Sequence, residues 1–209
     1  MKMLNGFDLS HWNLVKNWDL LAKQADFVIL KIGGSDSGVY IDSKFLEFYK
    51  KAKEKGIQVG AYWFIGYKSS SKQAVTDADF IVKFLKKNKI QLDLPIFLDI
   101  ETPAYTNAPA LHCRSIVTTF CETLEKYNYF AGFYTFKNFW EKKLKGLEKR
   151  FFCWIAYWTS DNKMYMKDKN IRMHQYYVGE NLAFTGAVDH DVLFVDLAAI
   201  IKKKGLNKS

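Results

Sequence analysis

The apolar residues of this chain gather in short dense runs separated by amphipathic stretches. Leu4–Leu9, Phe27–Ile32, Gln58–Phe64, Leu94–Glu101 and Phe130–Thr135 each read as a buried strand. Between them the apolar spacing turns helical. Leu14, Trp18, Leu21 and Ala25 share one face, and so do Phe45, Phe48, Tyr49 and Ala52, with Asp42 or Ser43 as cap and Gly56 as stop. Ala74, Ala78, Ile81 and Leu85 follow a start at Ser69–Ser71; Ile116, Phe120, Leu124 and Tyr127 lie on a helix from Ala110 to Tyr127; Phe139–Leu147 is a short helix. Strand followed by helix, five times over, implies a parallel sheet with right-handed crossovers.

After that the rhythm changes. Phe151–Trp158, Ile171–Tyr176 and Ala187–Leu193 are strands with gaps too short for crossover helices, and Leu197–Lys203 is a last helix. Eight strands with five regular helices predict an α/β fold of the modified TIM-barrel type, its final three strands joined by loops, as a single domain over residues 1–209. An open doubly wound sheet is the alternative. It calls for a glycine-rich phosphate loop after the first strand, and none is present.

The run Leu94-Pro95-Ile96-Phe97-Leu98-Asp99-Ile100-Glu101-Thr102-Pro103 carries the chemistry. Side chains alternate along a strand, so Asp99 and Glu101 point the same way, with Cα atoms roughly 6–7 Å apart. Two like charges that close raise one pKa, which keeps an acid protonated near neutral pH. Chemistry in a parallel barrel sits at the carboxyl ends of its strands. Asp8 on the first strand and Asp189 on the eighth join the pair there, along with Tyr62, Tyr134, Trp158, Gln175 and Lys31. An acidic floor with aromatic walls and a neutral amide suits a sugar, whose faces stack on rings and whose glycosidic bond is cleaved with a carboxyl acid.

Composition narrows the classes. Of 209 residues 49% are hydrophobic and 17% aromatic, so the chain folds compactly with aromatics to spare for a site. Three cysteines, Cys113, Cys121 and Cys153, make no disulfide framework, and four scattered histidines offer no metal spacing, so no metal or cofactor is expected. The net charge of +9 comes without a nucleic-acid motif, and no apolar run is long enough to enter a membrane.

Six motifs, in order, carry a resemblance. Gly6-Phe7-Asp8-Leu9-Ser10-His11-Trp12 resembles the opening Gly-Ile-Asp-Val-Ser-x-Trp of family 25 glycoside hydrolases, the Chalaropsis-type lysozymes. Gly60-Ala61-Tyr62-Trp63-Phe64 is similar to that family's Gly-x-Tyr-His-Phe, and Phe97–Glu101 to its Asp-x-Glu strand. Trp154-Ile155-Ala156-Tyr157-Trp158, His174-Gln175-Tyr176 and Gly186-Ala187-Val188-Asp189 resemble its Trp-x-Ala-x-Tyr, Trp-Gln-Tyr and Gly-x-Val-Asp. The resemblance implies a (β/α)5β3 barrel and an N-acetylmuramidase acting on peptidoglycan. Glu101 would be the general acid, Asp99 would stabilise positive charge or orient an acetamido group, and Asp8 and Asp189 would complete the floor. Ile32-Gly33-Gly34-Ser35 lacks the family's Glu after the Lys31 strand, Asp191 stands where Asn is usual, and Trp63, Trp158 and His174 replace other rings. A wall-binding barrel without turnover stays open as the second class. A chitin-cleaving barrel would want Asp-x-x-Asp-x-Asp-x-Glu, which this strand does not offer. With no secretory signal and no wall-binding module, the expectation is a protein made in a cytoplasm and released onto the wall, as a phage lysis enzyme is. Anionic wall polymers are the partners the positive charge suggests.

Overall fold

The computed structural model describes residues 3–66, 69–101, 105, 107–158 and 170–208. Thr102 and Pro103, the expected end of the acidic strand, lie outside the described residues. The barrel strands are β1 Leu4–Leu9, β2 Phe27–Gly34, β3 Gln58–Phe64, β4 Ile96–Asp99, β5 Ala131–Phe136, β6 Phe152–Ala156, β7 Ile171–Glu180 and β8 Ala187–Leu193. Pairing runs round the ring and closes between β1 and β2 on one side and β1 and β8 on the other. Neighbours from β1 to β7 are parallel. β8 runs antiparallel to both of its neighbours.

The helices are α1 Trp18–Gln24, α2 Phe45–Glu54, α3 Ser71–Lys87, α4 Ala110–Lys126 and α5 Leu197–Lys204. Their apolar faces pack on the outside of the sheet. Phe45, Phe48 and Ala52 of α2, Ala74, Ala78 and Ile81 of α3, and Ile116, Phe120 and Leu124 of α4 are all buried there. A second apolar cluster fills the barrel itself, with Phe27, Ile29, Phe97, Trp154 and Met173 inside and Leu197 and Ile201 of α5 closing the base. Phe27 and Phe97 fit because glycines face them. A Cβ on Gly6 would lie 2.4 Å from the Phe27 ring, and one on Gly132 would lie 3.1 Å from the Phe97 ring.

The chain departs from the sequence reading in four places. Leu14 belongs to a two-residue strand, Leu14–Val15, paired with Phe184–Thr185, so α1 starts only at Trp18, capped by Asn17. Asp42 does not cap α2. Its Oδ1 accepts the Lys44 N–H and its Oδ2 faces His11 Nδ1 at 2.7 Å, which ties the turn before α2 to the end of β1. The helix expected over Phe139–Leu147 is broken into an α-turn, a π-turn at Trp140–Leu144 and a 3-10 turn at Leu147–Lys149. β7 continues to Glu180, so Gln175 lies within a strand and does not end it.

Candidate active site

Alternation along the strands decides what the barrel encloses. Phe27, Ile29 and Lys31 of β2 face inward, as do Phe97 and Asp99 of β4, with apolar residues below and polar ones at the mouth. Backbone hydrogen bonds carry β4 past its last ladder residue. Ile100 N–H donates to Tyr134 O at 3.1 Å, and the Thr135 hydroxyl donates to Ile100 O at 2.6 Å. Glu101 therefore stays on the inner side, above Asp99. Asp189 presents a different problem, because it stands near the start of its strand, the wrong end for a parallel barrel. The reversal of β8 solves it by placing Asp189 directly opposite Asp8.

The four acids line one cavity of 230 Å³ at the mouth, with Tyr62, Tyr134, Phe136, Trp154, Trp158 and Gln175 as its remaining walls. Eight of the nine residues expected at the site thus meet there. Lys31 is set beside it, its Nζ 4.9 Å from the Phe64 ring centre and 5.7 Å from that of Tyr40, and its charge acts on Asp99 and Glu101. Trp158 is 60% exposed and stands edge-on to Phe136, a stacking surface open to solvent. Tyr134 packs on Trp154 with ring centres 4.3 Å apart.

One amide organises the floor. Gln175 Oε1 accepts the Tyr134 hydroxyl at 3.0 Å, with the Trp158 indole N–H at 3.4 Å, and this turns its NH2 toward Asp8 Oδ2 at 2.8 Å. Both ends of Gln175 are engaged with protein, so it holds Asp8 and Tyr134 in place as it lines the cavity. Two of the ring replacements do not touch the site. Trp63 faces outward against Phe80. His174 also faces outward, with Nε2 2.7 Å from Tyr157 O, and burial lowers its pKa to about 4, so it is neutral.

Burial and crowding set the protonation of the acids. Asp8 is pushed up to about 8 by burial first and by Asp189 next, with Gln175 pulling the other way. Burial and the Glu101 charge hold Asp99 well above the carboxylate range, against the pull of Lys31. Glu101 rises to about 7 through burial and Asp189, opposed by the neighbouring Tyr134 hydroxyl and by Lys31. Asp189 is raised by burial. These groups titrate as a set, and near neutral pH the set holds protons that solvated carboxyls would have lost. A carboxyl that keeps its proton near pH 7 beside others that can ionise is the arrangement acid-assisted glycosidic cleavage needs.

A family model described as glycosyl hydrolases family 25 matches residues 7–183. The chain belongs to that family. It is a glycoside hydrolase on a modified TIM-type barrel. No curated protein matches it. Among solved structures it is similar to the spore cortex lytic enzyme SleM of Clostridium perfringens, at 26% identity and TM-score 0.79 over 91% of this chain and 67% of that one. It shares the fold of the modular autolysin LytC of Streptococcus pneumoniae, solved with a synthetic peptidoglycan ligand, at 21% identity and TM-score 0.76 over 91% of this chain and 46% of LytC. The fold is also that of the bacterial lysozyme of Streptomyces coelicolor, at 22% identity and TM-score 0.73 over 95% of both chains. The family 25 chain thus spans less than half of LytC and about two thirds of SleM.

Asp8→Asn and Asp189→Asn are each expected to impair turnover more than stability, since each removes a like charge from a crowded floor. Melting temperatures and activity per folded molecule measure this. A collapse of both melting temperatures with unchanged specific activity would make the two acids structural.

Proposed function

We propose that the protein is a 1,4-β-N-acetylmuramidase that cuts between N-acetylmuramic acid and N-acetylglucosamine in bacterial peptidoglycan and so lyses the wall. The observation that carries this reading is the convergence of Asp8, Asp99, Glu101 and Asp189 in one aromatic-walled cavity, with Glu101 raised to about 7. The similar structures, a spore cortex lytic enzyme, an autolysin solved with a peptidoglycan ligand and a lysozyme, support it. In this reading Glu101 gives its proton to the glycosidic oxygen as the bond to the anomeric carbon breaks. Positive charge develops on the sugar ring, and Asp99 with the floor acids stabilises it or orients the acetamido group. Water then supplies the hydroxyl of the new reducing end and a proton that restores Glu101. Trp158 and Phe136 offer faces for sugar rings at the rim. New reducing ends released from purified walls, but not from chitin, are the expected result; equal action on chitin, or none on walls, would refute it.

The placement of the lysines suggests how such an enzyme holds an insoluble substrate. Helices that follow parallel strands run back toward the barrel base, so their last turns gather there. Those turns carry Lys51 and Lys53, Lys86 and Lys87, and Lys126, and α5 adds Lys202, Lys203 and Lys204. The base therefore gathers lysines, of which Lys53 is paired with Asp93 at 2.7 Å, while the mouth gathers acids. Polyanionic wall polymers such as teichoic acids fit the base without occluding the cavity. Exposed charges act over roughly 10 Å at 0.1 M salt and roughly 3 Å at 1 M. Lysis of intact walls should fall steeply with added salt while cleavage of short soluble fragments changes little. Equal salt sensitivity on both substrates would leave the lysines as a solubility feature alone.

A further inference from the structure

Asp191 is buried below the floor just described and contributes nothing to the cavity wall. In the β1–β8 register Asp189 stands opposite Asp8, and Asp191 opposite Gly6, one inward-facing layer deeper. Gly6 has no side chain to cover it, and the Asp191 residue is 1% exposed. Its Oδ1 accepts the Trp154 indole N–H at 2.8 Å. Its Oδ2 is buried and, among the described residues, receives no N–H or O–H donor. The group within hydrogen-bonding reach is the carboxyl of Asp8. Two carboxylates cannot hydrogen-bond to each other, so a proton must lie between them.

We propose that Asp191 is a positioning residue that works as a neutral carboxylic acid, giving a hydrogen bond to the Asp8 carboxylate while its other oxygen accepts the Trp154 indole N–H. Asp8 already has a donor in the Gln175 amide. With Asp191 beneath and Gln175 beside it, the Asp8 carboxylate is held by two donors from two different strands. The surroundings decide which of the pair keeps the proton. Asp8 and Asp189 face Asp191 from β1 and β8, the neutral Trp154 faces it from β6, and Gln175 reaches the pair through Asp8 from β7. Lys31 on β2 acts on Asp99 and Glu101 at the end of β4. Burial and two neighbouring acids favour the neutral form of Asp191, against the pull of the one Trp154 N–H, which favours the charged form. The arrangement also makes it easier for Asp8 to ionise, since a donated hydrogen bond favours the charged acceptor.

The inference rests on the muramidase reading only for its consequence on turnover, and a substrate-free measurement separates the two. Carboxyl carbon NMR of the parent protein should show Asp191 at its protonated position throughout the range in which Asp8 titrates. Asp191→Asn supplies an amide N–H to Asp8 and a carbonyl to Trp154 at every pH. It should leave the Asp8 titration close to that of the parent and retain most of the turnover. Asp191→Leu fills the space without a donor. It should move the Asp8 titration to higher pH and lower kcat by up to the order of 10²-fold, the effect of about 1 Å of misplacement. An Asp191 resonance that titrates in the ordinary carboxylate range would overturn the proposal even if no Asp191→Leu protein folds. So would an Asp191→Asn variant that loses as much turnover as Asp191→Leu, or an Asp191→Leu variant with unaltered Asp8 titration. Failure of every variant and the parent on walls, with the NMR result as expected, would instead refute the muramidase reading.

Discussion

Glu101→Gln should lower turnover on peptidoglycan by on the order of 10²–10⁴-fold, the worth of a positioned acid, and leave the fold intact. The expectation rests on geometry before titration. Glu101 sits at the open end of the cavity, beside Tyr134 and above Asp99, where a glycosidic oxygen can reach it. Glutamine keeps the shape and the contact with Tyr134 but has no proton of the required acidity to give. The parent should in turn lose activity as pH rises through about 7, where Glu101 gives up its proton. A Glu101→Gln protein that clears a wall suspension at near the parent rate would remove Glu101 from the acid role.

The second large effect is on stability, and its sign follows from the same carboxyls. An unfolded Asp or Glu titrates near 4. In the fold Asp8 is raised to about 8 and Glu101 to about 7, and Asp99 and Asp191 are raised well above the ordinary range. A raised acid means that the folded state binds more protons than the unfolded one between those limits. Stability is therefore highest at the acid end of the window and falls as pH rises through it. One extra proton held over about two pH units corresponds to about 3 kcal/mol, or roughly 5–10 °C in Tm for a chain of this size. Calorimetry at about pH 5 and about pH 8 measures it. Asp99→Asn should flatten the dependence and raise the Tm at the higher pH while impairing activity. Equal parent Tm values at the two pH values would show that the floor carries its charges without strain on the fold.

Much of this was legible in the sequence because a buried strand announces itself. Phe27–Ile32 and Ile96–Asp99 have apolar runs that period-2 alternation turns into inside and outside faces, and the acids fall where those runs end. Features that depend on a distant partner were not legible. Leu14–Val15 reads as the start of a helix because the two residues that pair with it, Phe184 and Thr185, lie far along the chain. Asp189 stands near the start of its strand, and only the reversal of β8, a property of the pairing and not of the local sequence, brings it to the catalytic end. Gln175 looked like a free amide for sugar; its engagement with Asp8 and Tyr134 needed three strands in register. Asp191 stood out only as a replacement, and its neighbour across the sheet gave it a place.

The closing strand has a consequence for how the enzyme comes into being on the ribosome. β1 emerges first and β8 last, yet the ring closes only when these two pair, and the Gln175–Asp8 hydrogen bond spans 167 positions of sequence. Contacts of that separation form late, after the local strand–helix units have collapsed. A nascent chain that has made β1 through β6 carries Asp8, Asp99 and Glu101 but lacks both Gln175 and Asp189. Such a chain can have most of its secondary structure and still have no floor. Catalytic competence therefore arrives late, with the closure of the ring, and a partly made chain has no assembled site.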